Sequence, residues 1–213
     1  MAAEGRFIVL EGIDGAGTTT QAQMLHDHLV GRSLSGWLTR EPTDGPLGGF
    51  IRDALSGAVR TAEGERFAPS ESAFCLLFAA DRLEHSRVIE DMRAQGRHVV
   101  CDRYIMSSIA YQSRGPDISA ERVIEINHGC ARPDITFLLG VRVEECLRRL
   151  DGRGDSPTIY EKKDLLEAIN RNYGAVRPVY ERHFGQLIEV DGMQAPEKVH
   201  EEIASLLARH LQL

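Results

Sequence analysis

Four short apolar runs, each followed within two residues by a glycine or an aspartate, constrain the fold of this chain more than any other feature. They are Phe7-Ile8-Val9-Leu10 before Gly12, His98-Val99-Val100-Cys101 before Asp102, Ile135-Thr136-Phe137-Leu138-Leu139 before Gly140, and Leu187-Ile188-Glu189-Val190 before Asp191 and Gly192. Gly36-Trp37-Leu38-Thr39 is a weaker fifth. Runs this short and continuous read as strands buried on both faces, as in parallel sheets. The gaps between them suit helices, read over 17–32, 46–56, 70–95, 104–113, 119–130, 143–150, 161–183 and 195–211. Ser70 before Glu71, and Ser119 before Glu121 and Arg122, supply N-cap chemistry. Strand alternating with helix predicts an α/β protein: a five-stranded parallel sheet flanked by helices in three layers, as one domain over 1–213. The polar, glycine-rich stretch from Arg149 to Pro157 is expected to be a mobile loop.

Composition bounds the function. A chain of 213 residues with 42% hydrophobic and 27% charged residues is globular and long enough for a sizeable core. Its net charge of -7 argues against non-specific binding of nucleic acid or an anionic membrane, so an anionic substrate must meet locally concentrated positive charge. The longest apolar run, Ala73 to Ala80, falls short of the roughly 18 residues needed to span a bilayer. Residues 1–6 show no apolar targeting signal, and a soluble, cytoplasmic protein is expected. Cys75, Cys101, Cys130 and Cys146 form no C-x-x-C pair and sit in apolar stretches, as reduced hydrophobes do.

The first strand runs into Gly12-Ile13-Asp14-Gly15-Ala16-Gly17-Thr18-Thr19-Thr20, followed by a helix. This is the strand–loop–helix setting of a P-loop, G-x-x-x-x-G-K-[ST]. Its glycines let backbone wrap around phosphate, and the amides at the helix start face the anion. Only one register fits: Gly12 and Gly17 are the fixed glycines and Thr19 is the hydroxyl that ligates Mg²⁺. That register puts Thr18 where the lysine belongs. A cation about 4 Å from a phosphate oxygen is worth on the order of 4 kcal/mol near a protein surface. Either the site binds nucleotide without catalysis, or another residue brings the charge.

Further segments carry chemistry. Arg40 and Glu41 follow one strand, and an arginine fork there could hold a monophosphate. Phe78 and Arg82 are four residues apart on one helix face, an aromatic wall beside a guanidinium. Asp102-Arg103-Tyr104 follows another strand; Asp102 could organise Mg²⁺ and its waters, or cap the next helix. No N-K-x-D guanine signature is present, which disfavours a GTPase.

Taken together in order, Glu11 to Gly17, Thr39-Arg40-Glu41-Pro42, Leu77 to Arg82, Asp102-Arg103-Tyr104 with Ser107-Ser108 and Ala110-Tyr111-Gln112, and Arg132 to Thr136 resemble the bacterial thymidylate kinase (dTMP kinase) family. The resemblance implies a P-loop NTPase fold with a short mobile lid over 149–162, and a homodimer. It implies ATP and Mg²⁺ as cofactors, dTMP as acceptor, and phosphorylation of dTMP to dTDP. It places the ATP phosphates on residues 12–19, with Gly12, Ile13, Asp14, Gly15, Ala16, Gly17, Thr18 and Thr19 around them. It sets Gly192, in the turn after the last strand, near adenine, and Mg²⁺ on Thr19 and Asp102. It assigns Arg40 and Arg103 to the acceptor phosphate, Phe78 and Arg82 to thymine, and Ser108, Tyr111 and Gln112 to the nucleoside, with Asp14 near its 3′-hydroxyl. A lid arginine, Arg153 with Arg149, is expected to make up for Thr18. The rivals are a kinase for another nucleoside or nucleoside monophosphate, and a catalytically silent ATP-binding protein.

Overall fold

A computed structural model describes residues 4–152 and 158–213. Five strands form one all-parallel sheet: β1 (Phe7–Glu11), β2 (Gly36–Arg40), β3 (His98–Asp102), β4 (Ile135–Gly140) and β5 (Leu187–Asp191). Their order across the sheet is β2-β3-β1-β4-β5. The central strand β1 is buried along its whole length, with Phe7 to Leu10 fully inaccessible. It pairs Leu10 with Asp102 on one side and with Phe137 on the other. Each apolar run is therefore a strand, extended by one residue at its carboxyl end.

The helices are α1 (Thr18–Gly31), α2 (Pro46–Ser56), α3 (Glu71–Ala94), α4 (Ile105–Gln112), α5 (Ala120–Ile126), α6 (Val143–Asp151), α7 (Lys163–Phe184) and α8 (Pro196–Leu211). Right-handed crossovers send β1–α1–β2 over one face of the sheet, and the β2–β3, β3–β4 and β4–β5 connections over the other. The contacts agree: α1 packs with α8, whereas α4 packs with α3, α5 and α7. Ser70 and Ser119 cap α3 and α5 by accepting hydrogen bonds from the Ala73 and Arg122 amides.

Two boundaries differ from expectation. The helix read over 119–130 ends at Ile126, because Asn127 turns its side-chain amide back onto the Val123 carbonyl and leads the chain into a turn. Arg149, expected in a mobile loop, lies on α6, whose last turn it shares with Arg148. Residues 153–157, which hold part of the expected lid and Arg153, lie outside the described residues.

Adjacent strands β1 and β3 deliver their next helices to opposite faces. The crevice beyond their carboxyl ends is where an open α/β sheet binds ligands.

Candidate active site

The site is built outward from Glu11, the last residue of β1. Its carboxylate is fully buried and accepts from the Tyr104 and Ser107 amides at 2.9 and 3.1 Å, and from the Ser107 and Tyr173 hydroxyls at 2.6 and 3.1 Å. Burial raises its pKa, while the Ser107 bonds and the Arg103 charge pull it back. One side chain thus ties β1 to the start of α4 and to α7.

The phosphate loop follows. A Cβ at Gly12 would stand 2.8 Å from that of Ala16, and one at Gly15 would stand 2.5 Å from the Cys146 carbonyl oxygen. Gly15 and Gly17 have φ of 84° and 99°, where side chains are strained. Gly17 caps α1 without a side chain, so the first amides of the helix are left for a ligand. Thr18, in the lysine position, is buried. Thr19 donates its hydroxyl hydrogen to Asp102 Oδ2 at 2.5 Å, and Asp102 Oδ1 is buried with no partner. An unpartnered buried carboxylate oxygen beside a hydroxyl is a ligand set for a hard cation, and it fits Mg²⁺. Asp102 does not cap α4; the residue in the cap position is Tyr104.

Arg149 reaches this loop from α6. Its Nε donates to Glu145 at 2.8 Å, Nη1 to the Ala16 carbonyl at 3.2 Å and Nη2 to the Gly192 carbonyl at 3.0 Å. It therefore bridges the phosphate loop and the turn after β5. A cavity of about 500 Å³ lies there, with Gly15, Ala16, Gly17, Arg149 and Gly192 in its wall. Hydrogen bonds from Arg148 and Arg149 hold the Glu145 carboxyl down to about 2. Arg148 itself points into solvent.

The second half of the site centres on Arg103, a non-glycine residue at φ 67°. Backbone in this region costs of order 1–3 kcal/mol and persists only where its surroundings hold it. Here the Arg103 amide donates to the Leu10 carbonyl. Nη1 donates to the Gly12 carbonyl at 2.7 Å and to the Tyr111 hydroxyl at 3.2 Å, and Nη2 to Asp14 Oδ1 at 2.7 Å. The guanidinium carbon lies 5.6 Å from the Tyr111 ring centroid. Burial pushes the Tyr111 and Tyr173 hydroxyls up, so both stay protonated.

Beside Arg103 is a pocket of about 150 Å³ whose wall includes Asp14, Phe78, Arg82, Ser108, Tyr111 and Gln112. Gln112 Oε1 is buried and unpaired. Thr158 and Tyr160 close the pocket, anchored by the Ile159 amide on the Leu55 carbonyl and by Tyr160 on Glu71. Arg82 is 1% exposed and is held by Glu41, Asn127 and Ser108.

Arg40 is not in the wall of that pocket. Its guanidinium pairs with Asp44 at 2.6 Å, half exposed, and lines a cavity of about 910 Å³ on the β2 edge, whose wall also includes Thr19 and Asp102. Successive residues leaving a strand point to opposite sides. Glu41 therefore turns inward to Arg82, while Arg40 faces outward.

Sequence reasoning did not single out Glu11, Glu41, Ser107, Asn127 or Tyr173 as site residues. Glu11, Glu41 and Ser107 lie inside motifs already noted, adjacent to assigned residues. Tyr173 carries no local motif; it belongs to the buried face of α7 with Leu166, Ile169, Val176 and Tyr180. Among the described residues no group of three or more His, Cys, Asp or Glu side chains could hold a metal alone, so any cation here relies on the threonine hydroxyl and ligand oxygens. No helix among them is long and apolar enough to cross a membrane. All four cysteines are buried free thiols.

Comparison with known proteins gives the same picture. The model of the family described as thymidylate kinase matches residues 10–203. A probable thymidylate kinase of Pyrococcus abyssi is 39% identical over 97% of this chain and 98% of its own. One from Methanococcus aeolicus is 39% identical over 95% of each chain. A putative thymidylate kinase of Treponema pallidum is 36% identical over 97% of each. With a phosphate loop and an arginine-lined pocket meeting at β1, and relatives matched over nearly their whole length, the chain belongs to the thymidylate kinase family.

Proposed function

We propose that the protein transfers the γ-phosphoryl group of ATP to dTMP, giving dTDP and ADP. The observation that carries this reading is the position of Arg103, whose guanidinium joins the phosphate loop at the Gly12 carbonyl and Asp14 to the pocket at Tyr111. A fork there can hold the phosphate of a bound monophosphate within reach of a donor on the loop amides.

In this reading Gly12 to Thr19 take the β- and γ-phosphates. Phe78 stacks on the base, Arg82 donates to a base carbonyl, and Gln112 meets the ligand with its unpaired oxygen. Tyr111 stands against the sugar, closing the room a 2′-hydroxyl needs. A phosphate oxygen of dTMP attacks the γ-phosphorus in line, and the bond to the bridging oxygen of ADP breaks. The protein's part is to align the two phosphates and neutralise their charge. Thr19 and Asp102 would hold Mg²⁺, which when bound neutralises charge on the transferring phosphoryl group.

Arg149 brings to the phosphate loop the positive charge that Thr18 lacks, supported by its bonds to Ala16 and Gly192. Arg153 is the other candidate from the sequence, and turnover of Arg149→Ala against Arg153→Ala separates the two. A cytoplasmic setting suits four free thiols. A homodimer is supported by the exposed stripe Leu76, Ala80, Leu83 on α3. Sedimentation of Leu83→Glu tests it; a wild-type monomer would refute the dimer.

The decisive experiment is a coupled ADP-release assay with dTMP, dUMP, UMP and thymidine. The reading requires dTMP to be the fastest acceptor. ATP binding without turnover of any acceptor would establish the silent alternative.

A further inference from the structure

Beside the acceptor pocket lies a chain of four side chains, three of them buried. Arg82 Nε donates to Glu41 Oε2 at 2.7 Å. Glu41 Oε1 lies 3.0 Å from His85 Nδ1, and His85 Nε2 lies 2.8 Å from the Thr39 hydroxyl. Arg82, Glu41 and His85 are all buried. His85 does not line the acceptor pocket; it lines the cavity on the β2 edge.

Hydrogen-bond chemistry fixes the direction of the Glu41–His85 contact. Glu41, paired with Arg82, is a carboxylate and can only accept, so His85 Nδ1 carries a hydrogen. Nε2 lies within hydrogen-bond distance of the Thr39 hydroxyl. Both ring nitrogens are satisfied, and the Trp37 ring packs on the imidazole at 5.9 Å between centroids.

The other end of the chain bears on recognition. A guanidinium has five N–H groups. In Arg82, Nε serves Glu41, one Nη1 hydrogen serves Asn127, and the Nη2 hydrogens serve Ser108 and, at 3.4 Å, the Tyr104 carbonyl. Among the described residues, one hydrogen, on Nη1, has no partner. A single donor on a planar group clamped at four points is directional, and its aim depends on the clamp. Among the described hydrogen bonds, Glu41 Oε1 has His85 as its partner. Without that donor the carboxylate is free to turn about its last torsion and to carry the Arg82 Nε contact with it.

We propose that His85 is a positioning residue for the acceptor nucleotide: through Glu41 it sets the pose of Arg82, and so aims the one free N–H of that guanidinium at an acceptor atom of the nucleobase. The proposal rests on the reading of the pocket as the dTMP site. It makes His85 a residue that acts through Glu41 and Arg82, since it does not line the acceptor pocket.

The test is steady-state kinetics of the full chain with dTMP and ATP varied in turn. His85→Ala should raise KM for dTMP about tenfold, with kcat and KM for ATP within about twofold of wild type. His85→Asn puts an amide nitrogen near the place of Nδ1 and should bring KM for dTMP back to within about twofold. His85→Gln puts its amide near the place of Nε2 and should leave KM high. Should the alanine variant not fold, the asparagine–glutamine pair carries the test. An unchanged KM in His85→Ala, equal behaviour of the asparagine and glutamine variants, or a parallel change in KM for ATP would overturn the proposal. If the wild type prefers another nucleoside monophosphate, the reading of dTMP as substrate fails, and the same series is read on that acceptor. A wild type that phosphorylates no monophosphate overturns both.

Discussion

The two halves of the site hold their key arginines in opposite ways. On the acceptor side Arg103 is 18% exposed at its side chain, sits at a left-handed backbone position, and is tied to the Gly12 carbonyl, Asp14 and Tyr111. Behind it, Glu11 and Tyr173 fasten β1, α4 and α7 together. On the donor side Arg149 is held by Glu145 one turn earlier on its own helix and by two carbonyls. The acceptor half is wired before a nucleotide arrives, with strain and buried charge as the cost. The phosphate-loop half has Thr18 in the lysine position, and the guanidinium beside the loop, Arg149, is 26% exposed. In the proposed reading, preorganisation is concentrated where the acceptor phosphate must be aimed.

Breaking the stronger half should have the larger effect. Arg103→Lys keeps the charge and loses the fork, and kcat/KM for dTMP should fall about 10²–10³-fold in the coupled assay. A loss below tenfold would mean that the fork does not grip the acceptor. Arg149→Ala should lower kcat by about 10–10²-fold, less than Arg103→Lys because part of the field at Arg149 is screened. Thr18→Lys in that background should recover part of the loss. An Arg149→Ala enzyme with full turnover would place the missing charge elsewhere.

The smallest effect concerns Glu11. Its pKa is raised in the folded protein, so the native state holds its proton to higher pH than the unfolded chain does. Its contribution to stability is therefore present at low pH and is lost as pH rises from about 4.5 through the raised value. Glu11→Gln can still accept from the Tyr104 and Ser107 amides, and its amide nitrogen can donate to the two hydroxyls. The variant should fold, with a stability deficit of about 1 kcal/mol near pH 5 that narrows as pH rises. Urea unfolding of both proteins from pH 4.5 to 8 measures this, and a gap that widens with pH would contradict it.

Much of this was legible in the residues. The apolar runs became strands within one residue at their carboxyl ends, because a buried parallel strand needs an uninterrupted apolar stretch and stops where polarity begins. Phe78, Arg82, Ser108, Tyr111 and Gln112 fall on one pocket wall, because helix spacing of three to four residues sets a common face. Other features depended on contacts distant in sequence. Arg40 and Glu41 are neighbours with equal claims on paper, and only the packing of α3 against β2 and β3 sends Glu41 to Arg82 and leaves Arg40 with Asp44. Tyr173 lies 162 residues from Glu11, and no local pattern marks it.

The alternation of strands and helices, the glycine loop that admits phosphate and the threonine in its lysine position are written in short stretches of the chain. These are properties of local backbone sterics and of apolar periodicity. Which charges meet depends on the packed fold. It put Arg149 over Ala16 and Gly192, Arg103 on Asp14, and His85 behind Glu41. Hydrogen bonds between side chains are short-ranged and directional, so their partners are chosen by how the helices pack on the sheet, which no stretch of a few residues specifies.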